Sequence, residues 1–248
     1  MESDMSLLIT FLLGIFFLIG AAVIRLAKNS EWIEQLSVSL AFGSMTALVA
    51  LELLPDIINE FAKDHFLVSI VAIILGIVGL KILDLFIPDH DSDLATATKD
   101  HHDNMVHIGI ISAIAIILHN TVEGMTVYSV TLESIRQGAL LSLGVGLHNI
   151  PMGMLIYSSL EKERRSKRYL VMSLAALSTF FGGLLMALIS PWLNEFFFGF
   201  LISVALGMIL FIIFFELIPD LLRRKHWGLS IIGIVCGVLI LMAGTLLE

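Results

Sequence analysis

The feature that most constrains this chain is a set of eight apolar stretches, each about as long as the hydrocarbon core of a bilayer demands. A core about 30 Å thick takes roughly 20 helical residues. Such stretches run approximately from Ser6 to Ile24, Leu36 to Ile58, Phe66 to Phe86, Ile108 to Leu132, Gly138 to Leu160, Tyr169 to Leu193, Phe196 to Leu222 and Trp227 to Leu247. Only 15% of the 248 residues are charged, and those cluster between the stretches, whereas soluble domains run near 25%. A water-facing globule is thereby excluded. A closed β-barrel would also satisfy every backbone group in lipid, but these runs are too long for its strands and lack their alternation. The expected fold is an all-α polytopic membrane protein of eight transmembrane helices, a single domain over residues 1–248.

Charge orients the spans. One set of alternate loops carries Arg25, Lys28, Lys99, Lys162, Arg164, Arg165, Lys167, Arg168, Arg223, Arg224 and Lys225, with Lys81 near the same side; the other set carries Lys63 and Arg136. The positive-inside rule puts the first set in the cytoplasm and both termini outside, in the cell membrane. Trp32, Trp192 and Trp227 fall at expected span ends, where interfacial anchors sit. The first stretch has Glu2 and Asp4 before it and no basic residue, unlike a cleaved signal, and is read as retained. The net charge of −8 excludes a nucleic-acid partner, and the lone Cys236 excludes a disulfide framework or a thiolate-rich metal site.

Two segments of the sequence recur. Span two ends in Glu52-Leu53-Leu54-Pro55-Asp56 and span seven carries Glu216-Leu217-Ile218-Pro219-Asp220, each with a glycine nine residues before the Glu, Gly43 and Gly207. The two spans run in opposite directions, so the match is the mark of an inverted repeat. The second recurrence is His119-Asn120-Thr121-Val122-Glu123-Gly124 in span four against His148-Asn149-Ile150-Pro151-Met152-Gly153 in span five. The loop between them centres near Ser134, so at 1.5 Å per residue both imidazoles lie roughly 22 Å from the turn, at one depth near mid-membrane.

A carboxylate at that depth is expensive, and Glu123 follows His119 by one turn on the same helical face. Histidine and carboxylate at i and i+4 form a chelating pair for a borderline divalent ion such as zinc. Pro151 removes a backbone donor and is expected to kink or loosen span five there, baring carbonyls to a cavity. Asn120 and Asn149 suit two roles equally, neutral oxygen ligands or interhelical hydrogen bonds. Met45, after Gly43-Ser44, is a soft thioether within reach of such an ion, although packing is the commoner task of a methionine in that position. The cytoplasmic loop over 88–107 gathers Asp89, His90, Asp91, Asp93, Asp100, His101, His102, Asp103 and His107, either a weak, reversible binder of divalent ions or simply a solvated acidic loop. Glu52 and Glu216 suit interfacial caps or gating carboxylates.

Taken together, these residues resemble the ZIP (Zrt/Irt-like protein) family of divalent metal transporters, and most of all its bacterial zinc-transporter and GufA-like branches. The likeness rests on H-N-x-x-E-G in span four, H-N-I-P-x-G in span five, G-x-M in span two, the E-L-x-P-D ends and the His-rich loop, and it covers nearly the whole chain. It implies a three, two, three arrangement, with spans one to three and six to eight as inverted repeats around spans four and five. It also implies a central metal site at Met45, His119, Glu123 and His148, and movement of zinc, often also iron, manganese, cobalt or cadmium, toward the cytoplasm as substrate. Two positions depart from the pattern. Met152 stands where the family has a Glu that helps hold a second metal, and Thr179 stands where span six has another Glu. A single-metal site with one carboxylate, softened by Met45 and Met152, is the resulting expectation.

Three other classes are open to such a sequence. A membrane b-type cytochrome would use His119 and His148 as haem ligands, and a metal sensor would bind without transporting. An intramembrane metallohydrolase ranks last, because no H-E-x-x-H occurs. The sequence leaves open whether the chain acts alone or as a homodimer.

Overall fold

The computed structural model describes residues 2–27, 31–86, 100–161, 163–189, 195–224 and 226–245. Every regular element among them is helical. Eight helices are long and apolar enough to cross a membrane: α1 (Ser3–Leu26), α2 (Trp32–Asn59), α3 (Ala62–Asp84), α4 (Ile110–Leu132), α5 (Ile135–Ser159), α6 (Arg165–Ile189), α7 (Phe196–Arg223) and α8 (Trp227–Thr245). The connections α1–α2, α3–α4, α5–α6 and α7–α8 share what we call the basic face, after the Lys and Arg they carry. Trp32 and Trp227 open α2 and α8 on that face, each more than half exposed; Trp192 lies outside the described residues.

Three features differ from the sequence expectation. The segment read as a loop up to residue 107 is helical from Asp100, in one helix, Asp100–Glu133, that continues into α4. Once nucleated, a helix propagates cheaply past its apolar part, and Asp100 and Asp103 suit its N-terminal dipole. His101, His102 and His107 lie on this extension, and His90 falls outside the described residues. Similarly, α6 starts at Arg165, ahead of its apolar run, with Lys167 and Arg168 in its first turn, where long basic side chains can reach the interface. Finally, α5 stays α-helical through Pro151. The clamp is external: α1 packs against this turn, the backbone of Gly20 lying directly on Ile150 and Met154.

Irregularity appears at the other two intramembrane prolines. The turns Val49–Leu53 before Pro55 and Ile212–Leu217 before Pro219 are π-helical. A proline leaves the carbonyl four residues earlier without its donor, and a π turn is a common way to absorb such a defect. Glu52 and Glu216 thus sit in widened turns inside their spans, not at helix caps. The next turn of α2, Ile57–Phe61, is π-helical as well, and the chain bends at His65 on entering α3 (φ −130°, ψ 40°).

Lipid tails are as apolar as leucine, so helices in a bilayer associate by close packing, and small residues decide where. Four helix pairs here are zipped by reciprocal glycines. Gly20 and Gly153 join α1 to α5, and Gly124 and Gly182 join α4 to α6. Gly43 and Gly237 join α2 to α8, and Gly76 and Gly207 join α3 to α7. At each glycine an added Cβ would overlap a carbonyl oxygen of the partner helix. Further contacts link α4 to α5, α1 to α6, α2 and α8 to α5, and α7 to α4. All these pairings survive exchanging α1 with α6, α2 with α7, α3 with α8 and α4 with α5. The interior is built on α2, α4 and α5, of whose apolar windows 61%, 56% and 61% are buried, against 22% for α3 and 28% for α8.

Candidate metal site

Because α4 and α5 are antiparallel and joined by a tight turn capped by Ser134, equal spacing from that turn brings His119 and His148 to one level. Their donor atoms converge on Glu123. His148 Nε2 donates to Glu123 Oε1 at 2.8 Å, and His119 Nε2 lies 2.7 Å from the same oxygen. The second contact lacks hydrogen-bond alignment. Three ligand atoms, one from each residue, lie within 4.8 Å of one another, and both histidines are buried, His119 at 6% and His148 at 1% exposure. Two imidazoles converging on one carboxylate oxygen in a low-dielectric interior favour a positive charge among them. A divalent cation supplies it with the donor chemistry that two imidazoles and a carboxylate prefer.

Further polar atoms surround the cluster. Asn120 Oδ1, Glu123 Oε2, His119 Nδ1 and both amide atoms of Asn149 are buried without hydrogen-bond partners. The interhelical hydrogen bonds that would account for Asn149 structurally are therefore not made. Met45 and Met152, at 1% and 3% exposure, are buried in one apolar cluster that draws on all eight spans.

The glycine closing each motif has a local reason. Gly124 follows Glu123 and lies against the carbonyl of Thr179 on α6; Gly153 follows Met152 and lies against the carbonyl of Phe17 on α1. The outer helices close on the site at the turn that bears its ligands. Thr179 itself is fully buried and donates its hydroxyl proton to the Thr10 carbonyl at 2.9 Å. At this position the chain has a helix-to-helix bond to α1.

A cavity of about 1050 Å³ lies on the face opposite the basic one, lined by Asp56, Asp64, His65, Thr126, Ser129 and Phe196, among others. Thr126 is one helical turn beyond Glu123, a rise of about 4.5 Å, so the cavity descends along α4 to the neighbourhood of the metal ligands. Two groupings escaped the sequence reading. His65 packs between Phe61 and Phe196 at the cavity rim, with ring centroids 5.2 and 5.0 Å away. On the basic face, Arg224 bonds Asp220 and Glu34; the i, i+4 spacing of Asp220 and Arg224 was a signal for half of it.

The model of the ZIP zinc transporter family matches residues 88–244. The chain is similar to the zinc transporter ZupT of Clostridium perfringens (strain 13 / Type A), 26% identical over 98% of this chain and 95% of the relative. It is also similar to the ZupT proteins of Stenotrophomonas maltophilia (strain R551-3), 28% identical over 94% and 91%, and Streptococcus mutans serotype c (strain ATCC 700610 / UA159), 28% identical over 98% and 97%. With the family match spanning well over half its length and eight helices long and apolar enough to cross a membrane around a His-Glu-His cluster, the chain belongs to the ZIP family of divalent metal transporters, integral proteins of the cell membrane and not enzymes.

Proposed function

We propose that the chain carries zinc into the cytoplasm by alternating access, holding one ion at a time at mid-membrane between His119, Glu123 and His148. The observation that carries this reading is the convergence of three ligand atoms from two helices within 4.8 Å. Zinc enters through the cavity opposite the basic face, passes Thr126, and exchanges water for two imidazoles and a carboxylate. Met45 and Met152 complete the wall on the sulfur side, and Asn120 and Asn149 offer neutral amide oxygens. With both termini outside, as the distribution of Lys and Arg requires, the cavity faces the exterior and the ion leaves on the basic face.

The inverted repeat of α1–α3 and α6–α8 around α4 and α5 gives such a carrier its two states, because exchanging the halves exchanges the open side. Its support is twofold: the helix pairings are unchanged by that exchange, and π turns precede both Pro55 and Pro219.

One ion rather than two follows from the donor set. Among the described residues Glu123 is the only carboxylate of the cluster, Met152 replaces a second acid, and the hydroxyl proton of Thr179 is engaged by α1. A +2 ion is thus only half neutralised, which weakens binding or shifts preference toward softer ions. The haem alternative fits poorly, since both Nε2 atoms meet on one carboxylate oxygen and leave no room for a porphyrin plane between them. A flux assay separates transport from sensing. In proteoliposomes with a zinc dye inside, the full chain should accumulate zinc and Glu123→Ala should not; equal flux from both would overturn the site.

A further inference from the structure

On the basic face, the start of α2 is tied to the end of α7. Arg224 follows the last residue of α7 in extended backbone (φ −80°, ψ 146°), which turns its side chain back along the helix. Its Nε donates to Asp220 Oδ2 at 2.8 Å and its Nη2 to Glu34 Oε1 at 3.1 Å. The guanidinium side chain is 6% exposed, that of Asp220 0% and that of Glu34 27%. Beside it, Gln35 Nε2 donates to the His226 carbonyl at 2.7 Å and to Ser230 Oγ at 2.8 Å, so the start of α8 is drawn into the same knot. Among the described residues two carboxylates face one guanidinium, and Asp220 Oδ1 is buried without a hydrogen-bond partner there.

The opposite ends of the same two helices border the cavity, with Asp56 and Ile57 from α2 and Phe196, Gly199 and Ile202 from α7. One pair of helices is therefore open to water at one end and pinned by ions at the other. An aromatic contact such as Phe61 on Phe196 tolerates sliding, whereas a buried guanidinium bridging two acids holds only at one distance and direction.

We propose that Arg224, with Asp220 and Glu34, is an ion-pair lock that keeps the basic face shut while the cavity is open, and that it parts once in each transport cycle. When it parts, water reaches all three charged groups, and the incompletely paired Asp220 is left facing the exit. The proposal rests on the alternating-access reading above, and its test is separable from it.

The test uses the full chain with Cys236→Ala, since Cys236 is exposed on α8, and two reporters. Ser129→Cys lines the cavity; Ser112→Cys lies two turns below His119 on the same face of α4, fully buried. In nanodiscs, a cationic thiol reagent should label the first readily and the second slowly. Adding Arg224→Gln should raise labelling at Ser112→Cys about fivefold and lower it at Ser129→Cys, as a shift between two states requires. A second variant, Glu34→Cys with Arg224→Cys, is bridged by a short bis-methanethiosulfonate reagent. In liposomes the bridged protein should bind zinc but pass none, and reduction should restore flux. Undiminished flux through the bridged protein, or unchanged labelling at Ser112→Cys in Arg224→Gln, would overturn the lock. Should the unmodified chain bind zinc without flux, alternating access fails, while the labelling rates still decide whether Arg224 holds the basic face closed.

Discussion

The two halves of the metal site are alike in scaffold and unlike in charge. Span α4 presents His119, Asn120, Glu123 and Gly124; span α5 presents His148, Asn149, Met152 and Gly153 at the same four positions. The glycines do equivalent work, each meeting a carbonyl of an outer helix, and the histidines meet at one depth. What differs is the residue before the glycine, an acid on α4 and a thioether on α5. Geometry is thus duplicated while charge is supplied once, which teaches that the packing requirement and the ligand requirement of these motifs are separable.

Removing the single charge should have the largest effect. Glu123→Ala is expected to lower zinc flux by more than about 100-fold, beyond the cost of losing an outer partner of a ligand, because it takes away the atom on which both imidazoles converge. Met152→Ala, its counterpart on α5, should keep measurable flux. Equal losses from the two would erase the contrast in charge.

The shared scaffold is broken by enlarging its glycines. Gly124→Val and Gly153→Val each drive a side chain into a carbonyl on α6 or α1, and overpacking of this kind costs about 1–3 kcal/mol or more. Both variants should lose folded protein to a similar extent in a thermal-aggregation assay in detergent, although only Gly124 adjoins the acid. A large difference between them would mean that one outer helix yields more readily than the other.

How far could this contrast be read from the sequence? The eight spans were visible because apolar length is a one-dimensional property, and the meeting of His119 with His148 because two residues equidistant from a tight turn must share a depth. Other features depend on what a neighbouring helix does. Nothing local to Pro151 says that α1 will hold its turn straight, while Pro55 and Pro219 are relieved by π turns. Thr179 gives no sign in sequence that its hydroxyl is bound to Thr10, 169 residues away. Arg224 looked like one more cytoplasmic positive charge, yet it is buried between two acids, one of which, Glu34, lies 190 residues off.

Adding the missing acid sharpens the comparison. Met152→Glu should tighten zinc binding about tenfold, or about 1.4 kcal/mol, by bringing the ligand charge to match the ion, as measured by isothermal titration of purified protein. Combined with Thr179→Glu it should raise the stoichiometry toward two ions per chain. An unmodified protein that already binds two ions tightly in the membrane domain would contradict the single-ion reading. Acid acts in the reverse sense on the native site. Each imidazole must be neutral to ligate, so protons compete with zinc, and the same titration repeated in more acidic buffer should show weaker binding. Replacing either histidine by Ala should flatten that dependence.

The smallest expected effect falls on Thr179, and it separates a wall from a ligand. Its hydroxyl proton is directed at the Thr10 carbonyl at 2.9 Å, away from service as a metal-bound alkoxide. Thr179→Val keeps the shape and deletes that bond, which in membrane proteins is worth about 0.6 kcal/mol on average. The variant should therefore melt slightly earlier and bind zinc as the native protein does. A tenfold loss of zinc affinity in this variant would place the Thr179 oxygen at the ion, make α6 a contributor of ligands, and leave the site less lopsided than one acid on one helix makes it.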